Sequence, residues 1–562
     1  MTIQPPTTTP SWQTLSTKKR TTLHSLLPPS TILPNTLIST LPSTSPTAPA
    51  PPPLPVHSAL SIPATSDILT PHELEITSAY DATALVEMMS TGKLKSVDVV
   101  GAFIKRASIA QQVVNCLTEV MFEEAMERAK ECDKFFEREG RGMGMLHGLP
   151  ISLKDSFNVV GTHTTIGYID YLSRPPATTD STLITLLRAE GAVFYCKTNL
   201  PQTMMTADTH NNVFGRTLNP YNLGFTAGGS TGGEGALIAM GGSILGLATD
   251  IAGSCRIPAL CCGLFSFKPT AGRVPFGGKV APGRLGSPCP IMPVIGPMGR
   301  SVRDAELILR TMITDKTWEF DAGVLGVPWR TVQPVARTLR FGLIRGHEKR
   351  PLHPPIAKTL HTAATLLKAR GHEVVLLDHL IPDLWDMWTL ACKFFSLDPK
   401  NTPMEILKTG NEPKVPSVAN APMEDTSDGW KPTLDELFDL NVERFQVLKK
   451  FHDLIVEHGL DAILLPGYQA TAVPHDQFGE AIYTALVNML NYPSAIFPFL
   501  KADKAVDASF AKADVTYEPP YEPEIFEGMP THIQVMGKPM QDEELIEILK
   551  VVEKVLADVP LK

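Results

Sequence analysis

The stretch from Thr226 to Ala259 constrains the fold of this chain more than any other segment, because nine of its 34 residues are glycine. It reads TAGGSTGGEGALIAMGGSILGLATDIAGSCRIPA, and two of its glycine-rich turns carry the serines Ser230 and Ser254. Glycine at this density indicates loops where the backbone approaches another group closely or takes up positive φ. The apolar run between the turns predicts a buried helix followed by a strand.

The composition of the 562-residue chain is that of a globular protein with a large core. Hydrophobic residues make up 43% and charged residues 19%, below the roughly 25% usual for soluble domains. The net charge of −9 and the lack of a basic block beyond Lys18 to Arg20 argue against nucleic acid as a partner. Eight cysteines without paired metal-ligand spacing predict free thiols and no metal site. With no apolar leader or convincing membrane span, we expect a cytoplasmic protein.

Two regions of different composition divide the chain. Residues 1–66 contain 14 prolines and are expected to form an extended arm with a short helix near Ser11 to Leu27. Residues 67–562 have globular composition, and their strand, helix, strand order in LPISLKD, STLITLLRAEG and AVFYCKTN predicts an α/β fold. A second such unit is LRFGLIRG, a helix over 355–370, and HEVVLLD. Residues from about 400 to 432 are polar and predicted to be an irregular surface insertion.

Three hypotheses compete for the glycine-serine stretch. A phosphate loop lacks the expected G-K-[ST] and would place Glu234 beside the ligand. A nucleophile elbow matches G-x-S-x-G at residues 228–232, but the preceding NPYNLGFTAGG is not an apolar strand. The third hypothesis joins both serines to Lys154, which ends the apolar segment LPISLK. Taken alone, Lys154 would more simply form an ion pair with Asp155.

Several motifs favour the third hypothesis. GLPISLKDSF, KTNLPQTMM, FGRTLNPYN, GGSTGGEGALIAMGGS, GLATDIAGSCRIPA and GPMGRSVRD resemble the amidase-signature hydrolases, most closely the fungal acetamidase and general amidase branch related to fatty acid amide hydrolases. The resemblance runs from about Leu69 to the C-terminus and is most specific over residues 148–303. It implies that residues 67–562 form a single catalytic domain with a twisted, mixed and largely parallel sheet, covered by helices on both faces. It further implies hydrolysis of linear amides through an acyl-enzyme, without a metal or an organic cofactor.

The resemblance also implies a role for each residue of the site. Ser254 would be the nucleophile, Ser230 the proton carrier on a cis peptide after Gly229, and Lys154 the base. Lys154 must then be neutral part of the time, which requires burial. The remaining implied residues surround this triad: oxyanion-binding N–H groups of Ile251, Ala252, Gly253 and Ser254, acyl-pocket residues Met204 and Thr206, and the bracing residues Asp250 and Arg256.

Alternatives stay open for several of these residues. Ser230 could cap the helix that follows it, and Met204 and Met205 could be core. The family has glycine where Ala252 stands, so positive φ at this position would strain the loop. Cys255 is interpreted as a small buried residue and not as a catalytic thiol.

At the level of function, the alternatives are a glutaminase subunit of a tRNA-dependent amidotransferase, an amidase of a specialised pathway, and a binding protein with a degenerate site. The partner we expect is a small amide. A short aliphatic amide, an arylacetamide, a fatty acyl amide and a biosynthetic intermediate are all left open, as is a homodimer.

Overall fold

An eleven-stranded mixed sheet runs through the described part of the molecule, which in this computed structural model comprises residues 10–55, 57–421, 430 and 432–557. The strands, including two small hairpins (β4 with β5 and β6 with β7), are β1 (Leu117–Val120), β2 (Pro150–Lys154), β3 (Val193–Thr198), β4 (His210–Asn211), β5 (Gly215–Arg216), β6 (Leu218–Asn219), β7 (Asn222–Thr226), β8 (Gly246–Asp250), β9 (Phe265–Lys268), β10 (Val294–Gly299), β11 (Arg340–Leu343), β12 (Glu373–Leu376), β13 (Ala462–Leu465), β14 (Ser494–Lys501) and β15 (Pro530–Met536). The order in the sheet is β1-β3-β2-β8-β10-β9-β14-β15-β13-β11-β12.

Helices pack along the whole length of the sheet. Their bounds are α1 (Trp12–Ser25), α2 (Asn35–Ile38), α3 (Ile62–Thr65), α4 (Pro71–Ser78), α5 (Ala82–Ser90), α6 (Ser96–Val114), α7 (Phe122–Glu139), α8 (Thr182–Ala189), α9 (Gly232–Ala239), α10 (Arg256–Cys261), α11 (Val302–Met312), α12 (Thr317–Phe320), α13 (Pro354–Ala369), α14 (Leu384–Phe395), α15 (Thr402–Thr409), α16 (Pro416–Ala419), α17 (Leu434–Glu457), α18 (Ile482–Leu490), α19 (Lys504–Asp507), α20 (Pro523–Phe526) and α21 (Asp542–Leu556). Across the described ranges, no helix is both long and apolar enough to span a bilayer.

The mixed sheet is confirmed, but parallel pairing is less widespread than expected. The two predicted strand, helix, strand units are parallel, with β2 beside β3 and β11 beside β12. The central strands β8, β10, β9, β14 and β15 instead pair antiparallel with one another. Parallel neighbours need a crossover, usually a helix, whereas antiparallel neighbours do not. The sequence prediction rested on the two strand, helix, strand units, which form parallel pairs. It therefore did not foresee the antiparallel pairs at the centre of the sheet.

The N-terminal arm lies on the body of the protein. Its predicted helix is confirmed as α1, which begins after the N-cap Ser11, whose hydroxyl accepts from the Thr14 amide at 3.3 Å. Ser16 Oγ donates to the Val213 carbonyl at 2.9 Å, and the Arg216 amide donates to the Thr44 carbonyl at 3.1 Å. Of the predicted arm, residues 1–9 and 56 lie outside the described residues. The arm also contributes apolar side chains to the main core, namely Leu27, Leu33 and Ala59, which its composition did not suggest.

The insertion predicted at about 400–432 is more regular than expected. It contains the short helices α15 and α16, each with a proline in its first turn, where the missing N–H is no disadvantage. Residues 422–429 and 431 of the predicted insertion lie outside the described residues. The helices pack close enough to the body that Leu407 and Val418 are buried.

Candidate active site

Lys154 occupies the last position of β2, and its side chain is completely buried. Its Nζ donates to Ser230 Oγ at 2.6 Å and to Thr249 Oγ1 at 2.9 Å. Burial lowers the pKa of the Lys154 ammonium from 10.5 to about 7, although the charge of Asp250 acts in the opposite direction. A large fraction of this side chain is therefore neutral near pH 7, which agrees with the burial expected for a base.

The expected alternative, an ion pair of Lys154 with Asp155, is wrong. Asp155 instead accepts from Thr118 Oγ1 at 2.7 Å and from the Ile166 amide at 2.8 Å, and Lys197 Nζ lies 3.4 Å from its Oδ1. Asp155 lies in the turn that follows β2, and its carboxylate has surroundings separate from those of the Lys154 side chain. In the described part of the chain, no carboxylate lies within ion-pair distance of Lys154.

Ser230 follows a cis peptide bond with Gly229, as the resemblance implied. It lies between β7 and α9, but the N-cap of α9 is Thr231, and the Gly232 amide at the start of the helix donates to Thr209 Oγ1 at 3.1 Å and not to Ser230, so the capping alternative is wrong. A Cβ on Gly229 would come within 2.3 Å of the Thr206 carbonyl oxygen. This close approach requires glycine at position 229, where the backbone packs against Thr206 and Ala207.

Ser254 lies in the loop between β8 and α10 and lines a cavity together with Gly229. Of the three triad candidates, Lys154 and Ser230 are in direct contact. The Ser254 hydroxyl has no hydrogen-bond partner among the described residues and is accessible from the cavity side.

The loop from Ile251 to Ser254 differs in one respect from the expected oxyanion-binding arrangement. The Gly253 amide donates to Asp250 Oδ1 at 2.8 Å, so this N–H is already engaged. The amides of Ile251, Ala252 and Ser254 have no acceptor within the described ranges. The residue with positive φ is Gly253, at 124°, whereas Ala252 does not have positive φ. Alanine is therefore accommodated at position 252 without the backbone strain that the family pattern suggested.

Asp250 and Arg256 form a buried ion pair that stabilises this loop. Arg256 Nε and Nη2 each lie 3.0 Å from an oxygen of Asp250, and both side chains are fully buried. Burial by itself raises the pKa of the Asp250 carboxyl, but the Arg256 guanidinium outweighs it and lowers the pKa to about 2. Arg256 also donates to three partners on distant elements, the Thr484 carbonyl, Asn488 Oδ1 and Gln534 Oε1. These partners were missed because they lie more than 220 residues away in sequence.

A cavity of about 80 Å³ opens beside Ser254. Both predicted acyl-pocket residues, Met204 and Thr206, line it, and Met204 also packs partly against a small apolar cluster. Asp208 and Asp476 line it as well. Further apolar residues of the lining are Met205, Ala207, Ile251, Ala252, Ile257, Trp388, Phe478 and Ala481.

The predicted surface insertion forms part of the wall of the same cavity, through Ser417, Asn420 and Ala421. Glu412 anchors this wall to the body. Its carboxylate accepts from the Ile169 amide at 2.8 Å, Gln202 Nε2 at 2.9 Å and Asn212 Nδ2 at 3.0 Å. Burial raises the pKa of Glu412 to about 7 despite these hydrogen bonds. The sequence around Glu412 is polar and gave no indication that this residue anchors the cavity wall.

Cys255 is fully buried beside the nucleophile candidate, and its Sγ lies 3.5 Å from the Pro297 carbonyl oxygen. Burial raises the pKa of its thiol well above the ordinary range. A thiol of this kind is unreactive, which agrees with the interpretation of Cys255 as a small buried residue.

Comparison with known proteins gives consistent results. The family model described as "Amidase" matches residues 98–546. A protein named "Amidase" from Gibberella moniliformis is 36% identical over 97% of this chain and 99% of its own length. An "Acetamidase" from Aspergillus oryzae is 36% identical over 89% of this chain and 93% of its own. Among solved structures, a "Fatty acid amide hydrolase" superposes with a TM-score of 0.88 at 30% identity, covering 98% of this chain and 96% of the other.

Proposed function

Because this chain belongs to the amidase family and is an amide hydrolase, we propose that Ser254 is its nucleophile and that Ser230 and Lys154 remove the proton of Ser254. One observation carries the proposal. A fully buried lysine whose pKa is about 7 contacts a serine hydroxyl at 2.6 Å, next to a cavity lined by a second serine. A buried neutral amine is a base of suitable strength at neutral pH.

In the proposed reaction, the Ser254 side chain first rotates until its hydroxyl donates to Ser230 Oγ, a contact that the described residues do not make in the present structure. Ser254 Oγ then attacks the amide carbonyl carbon while its proton passes to Ser230 Oγ. The proton of Ser230 passes at the same time to the lone pair of Lys154 Nζ. The carbonyl oxygen becomes an oxyanion and accepts hydrogen bonds from the free amides of Ile251, Ala252 and Ser254. Preorganised donors of this kind typically contribute about 10²–10³-fold to the rate each.

The second half of the reaction uses the same groups in reverse. The tetrahedral intermediate collapses, the C–N bond breaks, and Lys154 returns a proton through Ser230 to the departing nitrogen. Ammonia or an amine leaves, and Ser254 remains acylated. Water then attacks the ester carbonyl carbon and gives up a proton through Ser230 to Lys154. The second tetrahedral intermediate collapses, the bond between the acyl carbon and Ser254 Oγ breaks, and the proton on Lys154 returns through Ser230 to Ser254 Oγ. The acid product loses its own proton to solvent and leaves as the carboxylate.

For the substrate, we propose amides with a small apolar acyl group. The cavity of about 80 Å³ is smaller than the roughly 150 Å³ of an apolar cavity that holds one benzene molecule. A volume of this size suits a short acyl group such as acetyl or propionyl. The name acetamidase of two fungal relatives is in line with this size.

The compartment and the domain organisation are likewise proposals. All eight cysteines are free, and seven are buried, which suits a reducing compartment such as the cytoplasm. Residues 67–562 are proposed to form a single catalytic domain on which the arm lies.

The test is a panel of amides graded in acyl length, with release of ammonia as the readout. Ser254→Ala and Ser230→Ala should each lose at least three orders of magnitude in kcat/KM while their circular dichroism matches that of the wild type. Ser417→Ala is the matched control, because it removes a hydroxyl from the same cavity without touching the relay, and it should stay within about tenfold. Near wild-type turnover of Ser254→Ala would contradict the assignment, and faster hydrolysis of long-chain amides than of acetamide would contradict the substrate class.

A fluorophosphonate probe gives a second readout for the nucleophile. It should label the wild type and Ser417→Ala but not Ser254→Ala. Labelling that survives in Ser254→Ala would show that another residue is the nucleophile.

A further inference from the structure

The long helix α17 carries an apolar stripe on its solvent side. Five residues form it, each 58–70% exposed: Leu434, Phe438, Val442, Phe445 and Val456. Their spacing keeps them on one face of a helix with 3.6 residues per turn. Contiguous exposed apolar patches are rare on monomeric proteins, and those that contain large aromatic side chains mark interaction surfaces.

The other side of α17 already has its partners. Leu440, Phe451, Leu454 and Ile455 are buried, and the helix packs against α14 and α18. The helix therefore has two apolar sides, and within the described residues only one of them is covered. Packing in the body does not explain the stripe of Leu434, Phe438, Val442, Phe445 and Val456.

We propose that the part of the stripe from Leu434 to Phe445 is the interface of a homodimer in which the α17 helices of two copies pack antiparallel about a two-fold axis beside Val442. Val456 lies 14 residues from this axis and beyond the start of the partner's helix, which is eight residues from the axis, so it is outside the interface. Two exposed charges on the same face select this partner. Asp435 lies seven residues before Val442 and Lys449 seven residues after it, about two turns in each direction. In an antiparallel pair, Asp435 of each copy faces Lys449 of the other, because a two-fold axis makes the contacts reciprocal.

The charges also argue against a lipid surface as the occupant. The first half of α17 carries Asp435, Asp439 and Glu443, all exposed. An anionic membrane surface repels such a segment, and interfacial helices instead carry lysine and arginine on their polar face. A second copy places the positive charge of its Lys449 opposite Asp435. A lipid surface has no positive charge held at a fixed position along the helix. In the present structure Lys449 pairs with Asp453, an exposed contact of small energy that can rearrange.

No residue of α17 lines the cavity beside Ser254. The dimer is therefore independent of the proposed catalytic roles, and amide turnover measured on each variant reports those roles separately.

The experiment is light scattering on the full chain after size-exclusion chromatography, with variants Asp435→Lys and Lys449→Asp. The wild type should have twice the mass of one chain. Each single variant places like charges at both contacts and should raise the dimer dissociation constant about 30-fold. An equimolar mixture of the two variants should form a heterodimer, since both contacts between positions 435 and 449 then join opposite charges. The double variant Asp435→Lys/Lys449→Asp should dimerise again.

Two further variants complete the design. Phe438→Ser should give a monomer, and Lys450→Asp, a charge reversal on the same helix but off the stripe, should leave the dimer intact. A monomeric wild type, a Phe438→Ser dimer, or a mixture that does not associate would overturn the proposal. Phe438-dependent sedimentation of a monomeric chain with phosphatidylserine vesicles would also overturn it, and would identify the stripe as a membrane contact.

Discussion

Replacing Lys154 with methionine is expected to stabilise the fold while it abolishes turnover. Burial lowers the pKa of Lys154 from 10.5 to about 7. The unfolded chain therefore binds a proton between pH 7 and 10.5 that the folded chain does not, and the wild type loses stability as the pH falls across this range. At about 1.4 kcal/mol per pH unit, the loss reaches about 4 kcal/mol at pH 7 and about 2 kcal/mol at pH 9.

Methionine has a similar length and no charge, so it avoids this loss. It also forfeits the hydrogen bonds of Lys154 to Ser230 and Thr249, worth about 1 kcal/mol each. The variant should therefore be more stable than the wild type by about 2 kcal/mol at pH 7 and of about equal stability at pH 9. This dependence on pH identifies the cause, because every other titrating group is common to both proteins.

The assay is urea unfolding followed by tryptophan fluorescence at pH 7 and pH 9, with ammonia release as the activity readout. Lys197→Met is the control. Lys197 is equally buried but is paired with Asp155, and its removal leaves a buried carboxylate unpaired, so it should destabilise the protein at both pH values. If the difference in stability between Lys154→Met and the wild type were the same at pH 7 and pH 9, Lys154 would keep its proton in the folded protein. It could then not act as the base.

Three other outcomes follow from the geometry. The kcat/KM of the wild type should fall about tenfold per pH unit below pH 7 and level off above it, since Lys154 accepts a proton only when neutral; a flat profile would contradict this role. Glu412→Ala should raise KM several-fold with kcat within about threefold, because it releases the cavity wall from Gln202 and Asn212; steady-state kinetics showing a loss confined to kcat would speak against it. Ala252→Gly should leave kcat/KM within about twofold, as alanine does not have positive φ there, and a gain above tenfold would reveal strain.

Local patterns accounted for the parts of the fold that depend on neighbouring residues. The apolar segment before Lys154 predicted a buried strand end, and the two strand, helix, strand units predicted parallel pairs that the sheet contains. The contact between Lys154 and Ser230 spans 76 residues, so spacing alone could not reveal it. Family motifs pointed to the two residues, and only the fold brings them together.

The features that escaped prediction depend on partners far away in sequence. Glu412 reads as a surface glutamate, yet it accepts hydrogen bonds from residues at least 200 positions earlier. The Gly253 amide was expected to point at substrate, but the brace formed by Asp250 and Arg256 engages it first. Asp155 looked like the partner of Lys154 because it is adjacent, although it lies in the turn after β2 and its carboxylate contacts Thr118 and Lys197 instead. No local pattern carries information of this kind.

The position of the N-terminal arm has a consequence for how the protein is made. Its attachment points, such as the Val213 carbonyl for Ser16 and His210 for the Pro46 carbonyl, lie 197 and 164 residues further along the chain. During synthesis the arm therefore leaves the ribosome well before its docking surface has been made, and it stays undocked until then. Proline cannot donate to a strand ladder, so a segment rich in proline is expected to pair poorly with exposed strands until the docking surface has formed.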